Sequence, residues 1–136
     1  MDGYDRIFIH DLSKQSIKEL FELVSRADEN PIYCHCWGGC DRTGTFCFLL
    51  GALLGMSYTD LIMDYELSSF AGNRRVHFKE NHNISWLKFP EFYEYLENYA
   101  KKCGLVKISE TVEKLLIDEF GISKLIIEKI CFCRKK

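Results

Sequence analysis

Residues 33–55 read YCHCWGGCDRTGTFCFLLGALLG, and the way this stretch changes character along its length sets the expected fold. Its start continues PIYCH (31–35), a short apolar run of the kind that forms a strand. CWGGCDRTG (36–44) brings two adjacent glycines and an Asp-Arg pair, a turn composition. From Thr45 to Gly55 no residue is charged on any face, which is the signature of a helix buried all round. A strand feeding through a tight turn into a buried helix predicts part of a parallel α/β unit.

Upstream, RIFIH (Arg6 to His10) is a second β-prone segment. DLSKQS follows with Ser16 and Glu19 at capping-box spacing, and Ile17, Leu20, Phe21 and Val24 fall on one face of a helix expected to run to about Arg26. Strand, helix, strand then predicts a right-handed crossover. Downstream, Gly55 is the expected helix stop, and Ser57 with Asp60 opens another helix with Leu61, Ile62 and Tyr65 on its inner face. Ser68 to Asn83 has no periodicity and reads as a long loop. Phe89, Phe92, Tyr93, Leu96 and Tyr99 define a further helix, and two more are expected around Val112–Phe120 and Lys124–Cys133, separated by Gly121. The expected fold class is therefore α/β, with a short parallel sheet of two or few strands, surrounding helices and a helix-rich C-terminal half.

The chain has 136 residues, enough for one domain, and residues 1–136 are read as that single domain. A net charge of −2 excludes binding to nucleic acid by overall field. Seven cysteines, an odd number placed mostly in apolar runs, favour reduced thiols in a reducing compartment, hence a cytoplasmic protein. MDGYDRIFIH carries charge where a secretory signal would be apolar, and the uncharged run Thr43 to Thr59 is too short and too broken to span a bilayer, so no stable membrane insertion is expected.

The chemistry sits in the turn. A phosphate dianion needs several converging donors, and a glycine-containing turn that opens a helix supplies them as backbone N–H groups, here those of Trp37, Gly38, Gly39, Cys40, Asp41 and Arg42. Arg42 stands six positions after Cys36, where its guanidinium can fold back and hold two phosphate oxygens. The same donors and the helix dipole stabilise a thiolate at Cys36. Thr43 places a hydroxyl beside that thiolate, and His35 is expected to hold the loop through hydrogen bonds to backbone. Composition makes a bare Cys-x5-Arg about 0.3-fold expected by chance in this chain; a preceding His and a following Ser or Thr reduce that to about 0.001.

At these residues the chain resembles the cysteine-based protein tyrosine phosphatase superfamily, whose signature is His-Cys-x5-Arg-Ser/Thr. HCWGGCDRTG is similar to the branch with DRTG in the loop, that of bacterial tyrosine and dual-specificity phosphatases, and more distantly to myotubularin-type phosphoinositide phosphatases. GALLGMSYTDLIMDYELSSF resembles the segment that follows the loop in the bacterial enzymes. The resemblance implies a phosphocysteine intermediate on Cys36, no metal or other cofactor, and hydrolysis by water. It implies as partner a phosphorylated protein or a small phosphomonoester. It also implies a general acid, for which Asp41 inside the loop is preferred and Asp11 and Asp5 near the start are alternatives; no Trp-Pro-Asp motif is present. Superfamily members carry a longer segment before the nucleophile, so the chain is expected to be the C-terminal catalytic part of a longer polypeptide.

Competing readings give other residues plainer jobs. Cys34 and Cys47 are expected to be core thiols, and Cys40 a loop residue with at most a redox role. A zinc site built from Cys34, Cys36, Cys40 and Cys131 or Cys133 has poor spacing and leaves Asp41 and Arg42 without a purpose. Arg74 and Arg75, with His77 and Lys79, form either a solvated basic loop or a second anion site, as a phosphoinositide or inositol-polyphosphate substrate would require. A loop that binds phosphate without turnover is the alternative to an enzyme.

Overall fold

The structure, a computed structural model, describes residues 14–27, 31–70 and 89–133. Six α-helices form the described part: α1 (Lys14–Val24), α2 (Arg42–Leu53), α3 (Tyr58–Glu66), α4 (Phe89–Cys103), α5 (Ile108–Asp118) and α6 (Lys124–Cys133), with a 3-10 turn at Leu67–Phe70 after α3.

α2 lies at the centre, as its lack of charge dictates. Thr45, Phe46, Phe48, Leu49, Gly51, Ala52 and Leu53 are buried, so the buried surface runs round the whole helix. α3 and α5 pack on it, α4 packs on α5, and α1 meets α6. Each outer helix contributes one apolar stripe. α1 buries Ile17 and Phe21, α3 buries Leu61 and Tyr65, and α4 buries Phe89, Phe92, Tyr93, Leu96 and Tyr99, the face read from its periodicity. Aromatic rings fill the space between α2 and α4: Phe48 meets Phe89 edge-on at 5.2 Å and Tyr93 edge-on at 6.1 Å.

Helix ends follow local chemistry where that chemistry is strong. α2 stops at Leu53, and Gly55, at φ 79°, lets the Met56 N–H return to the Gly51 carbonyl at 2.9 Å. Ser57 caps α3: its Oγ accepts the Asp60 N–H at 3.1 Å and donates to Asp60 Oδ2 at 2.7 Å. Ser16, in contrast, lies inside α1, which already runs from Lys14, so the expected capping box at Ser16 and Glu19 is not formed.

The α/β expectation is overturned. Among the described residues there is no strand and no sheet; the fold is helical. Pro31–His35, expected to be a short apolar strand, is irregular backbone, with Ile32 45% and Tyr33 87% exposed. A strand needs a neighbour to take its N–H and C=O groups and a face to bury. This segment has no partner strand among the described residues, and the apolar surface of α2 is covered by helices instead. The other expected strand, Arg6–His10, lies outside the described residues, as does the expected loop beyond Phe70.

Candidate active site

The irregular segment delivers Cys36 to a turn spanning residues 37–41, and α2 begins at Arg42. Gly39 adopts φ +67°, a left-handed conformation that glycine takes without strain, and its N–H donates to Cys36 Sγ at 3.1 Å. Gly38 has open space where a side chain would stand. Of the two adjacent glycines, only the second is required by backbone geometry.

Three of the four cysteines in and around the turn separate electrostatically. Burial by itself would raise the Cys36 thiol, but the Thr43 hydroxyl and the backbone N–H groups of Thr43, Gly38 and Gly39 outweigh it, and the thiol ends below its ordinary value. Cys34 is pushed up by burial and then by Cys36. Cys47 is pushed up by burial, then by Cys34 and Asp64. Cys36 is thus the acidic thiol among three close in sequence. Thr43 Oγ1 is itself buried and short of a formed hydrogen bond, although it lies near enough to Cys36 to act on the sulfur. A hydroxyl in that state is a donor waiting for negative charge on the sulfur.

His35 Nδ1 lies 3.4 Å from the Cys36 carbonyl oxygen, a long contact to backbone of the sort expected of it. Its ring sits 5.3 Å from that of Tyr33. Trp37, directly after Cys36, is 94% exposed. Arg42 occupies the first position of α2, at the positive end of the helix dipole.

Asp41 is anchored twice. Its carbonyl oxygen accepts the Thr45 N–H at 2.8 Å and the Thr45 hydroxyl at 2.9 Å. Its carboxylate Oδ1 accepts the N–H of Phe89, 48 residues away at the start of α4, at 3.2 Å. One of the orphan donors at the N-terminus of α4 is therefore met by the Cys36 turn itself.

Cys40 adds a feature the sequence did not announce. It lies in the turn as a loop residue, yet it is 7% exposed and belongs to the core cluster. Cys34, Cys36, Cys40 and Cys47 are all free thiols. Cys34 and Cys47 are half-buried, with Cys34 packed against the core. Asp5, Asp11, Arg74 and Arg75 lie outside the described residues. Sequence reading missed Thr45, Phe89 and Tyr65 as supports of the loop. Nothing local marks Phe89 or Tyr65, since their roles come from helices that meet the loop only in three dimensions.

The sequence matches the tyrosine phosphatase family over residues 1–130. The chain belongs to the tyrosine phosphatase family. Membership supports phosphatase activity as the class of reaction, and a phosphorylated compound as its substrate. No curated protein and no solved structure matches the chain. Within this family member, the described residues contain no group of three or more His, Cys, Asp or Glu arranged to hold a metal ion. No helix among them is long and apolar enough to cross a membrane.

Proposed function

We propose that the chain is a cysteine-dependent phosphomonoester hydrolase that works through a phosphocysteine intermediate. The observation that carries this reading is the lowered Cys36 thiol, held by the Gly39 N–H and by donors that would equally face phosphate oxygens.

In the first step the Cys36 thiolate attacks phosphorus and the bond from phosphorus to the leaving oxygen breaks. Arg42 and the backbone N–H groups of residues 37–42 hold the non-bridging oxygens, and Asp41 gives its proton to the leaving oxygen. In the second step water attacks phosphorus, the Asp41 carboxylate takes a proton from it, and the phosphorus–sulfur bond breaks. Thr43 and the turn donors then stabilise the departing thiolate, and inorganic phosphate leaves. The thiolate works only while reduced, and the cytoplasm is the compartment that keeps it so. Substrates in this reading are phosphotyrosine or other phosphorylated side chains in proteins, or small monoesters.

Hydrolysis of para-nitrophenyl phosphate tests the reading. The unmodified protein should turn it over, and Cys36→Ser should reduce kcat by about a thousandfold or more. Binding of inorganic phosphate without turnover by the unmodified protein would overturn it.

A further inference from the structure

Two buried side-chain oxygens among the described residues have no hydrogen-bond partner, Thr43 Oγ1 and the Tyr65 hydroxyl. Thr43 faces the nucleophile. Tyr65 belongs to α3, is 2% exposed, and has no part in the chemistry above. Burying a hydroxyl without a partner costs about 1–3 kcal/mol, and phenylalanine would fill the same space without that cost. Such a group in a native fold calls for a reason.

Its surroundings supply one. The Tyr65 ring lies nearly parallel to that of Phe89, with centroids 3.8 Å apart and planes at 21°. Its edge meets Gly44 so closely that a Cβ there would come within 2.9 Å of Cδ2 and Cε2. Tyr65 therefore packs on the first turn of α2, three residues after Asp41, and on Phe89, the residue whose N–H the Asp41 carboxylate accepts. The titratable groups acting on its hydroxyl are Cys40 and Asp41, both from the phosphate loop, while α4 meets it with the Phe89 ring. Burial first, then these two groups, push the phenol well above its ordinary value, so it remains a protonated donor at any working pH.

We propose that Tyr65 is a positioning residue for the general acid: its ring holds the Phe89 N–H against Asp41, and its hydroxyl is a donor held in reserve for the negative charge that appears on Asp41 when the acid gives up its proton. The proposal rests on the phosphatase reading and on Asp41 as the acid. Two donors, the Phe89 N–H and the Tyr65 hydroxyl, then receive the carboxylate, and hydrogen bonds to a charged acceptor are the stronger kind.

Tyr65→Phe separates the hydroxyl from the ring, because the stacking on Phe89 and the fit against Gly44 are kept. The Asp41 carboxyl is followed by carbon-13 NMR titration with and without inorganic phosphate, alongside para-nitrophenyl phosphate kinetics against pH. A donor to the ionised carboxylate favours the charged form, so its loss moves the Asp41 midpoint to higher pH. The high-pH limb of kcat/KM should move the same way, kcat should fall on the order of tenfold with KM within about twofold, and the melting temperature should hold or rise. A merely structural tyrosine would lower the melting temperature and leave the Asp41 midpoint alone. An active enzyme whose Asp41 midpoint and pH profile are unchanged in Tyr65→Phe overturns the positioning role alone. Failure of the unmodified protein to hydrolyse the aryl phosphate overturns the phosphatase reading and this role with it.

Discussion

Gly38 and Gly39 are neighbours of the same type in the same turn, yet they have different physical obligations. At Gly39, φ +67° is strained for any residue with a Cβ, and the N–H aimed at Cys36 depends on that conformation. Gly39→Ala should cost about 1–2 kcal/mol of stability and raise the Cys36 pKa. Gly38→Ala meets nothing within 4 Å and should leave the melting temperature within about a degree. The rate of Cys36 alkylation by iodoacetamide against pH reports the thiol directly. For the unmodified protein its midpoint should lie below that of an ordinary cysteine, and Thr43→Val, which removes the side-chain donor, should move it up, carrying the low-pH limb of kcat/KM with it. Unchanged midpoints in Thr43→Val would mean that the backbone donors alone hold the thiolate.

At the scale of elements, the glycines of α2 decide how closely α3 approaches. A Cβ at Gly51 would stand 2.7 Å from Met56 Sδ and 2.8 Å from Leu61 Cδ2, and one at Gly44 would press on the Tyr65 ring. Met56 ends in a flexible, 41% exposed side chain that can move, whereas Tyr65 is clamped against Phe89. Both alanine substitutions should destabilise by about 1–3 kcal/mol, and only Gly44→Ala should also lower kcat, because it disturbs the support of Asp41. Thermal melts with kinetics on the same samples check this split. Ser57 marks the other end of the same packing: Ser57→Ala removes the α3 cap and should cost about 0.5–2 kcal/mol in a urea titration with no change in kcat.

Across the whole molecule, stability depends on α2 being enclosed and on the charge state of the loop it opens with. Leu49 is fully buried on α2, and Leu49→Ala should cost about 2–5 kcal/mol, a loss that calorimetry would read as a large fall in melting temperature. The Cys36 thiol is more acidic folded than unfolded, so its ionisation adds stability that is fully present above the unfolded thiol's pKa of about 8.5 and is lost as pH falls through the lower folded value. Melting temperatures of Cys36→Ser between pH 5 and pH 9 should therefore lack that rise, and a parallel rise in the variant would assign it to other groups.

The sequence by itself determined the parts of this protein that depend on near neighbours. The periodic stripe of α4, the uncharged surface of α2, the Gly55 stop and the Ser57 cap all follow from contacts within a turn or two of chain, where spacing dictates which side chains meet. The Cys36 turn was legible for the same reason, since its donors lie within seven residues of the sulfur. Pro31–His35 was misread because β-propensity describes a fit to a neighbouring strand, and helices cover the core instead. Only the tertiary structure decided that Cys40 turns into the core, that Asp41 reaches the N-terminus of α4, and that Tyr65 stands buried against Gly44 and Phe89. Those contacts join α2, α3 and α4 at residues far apart in the chain, and no local rule of spacing encodes which helix end will arrive beside which turn.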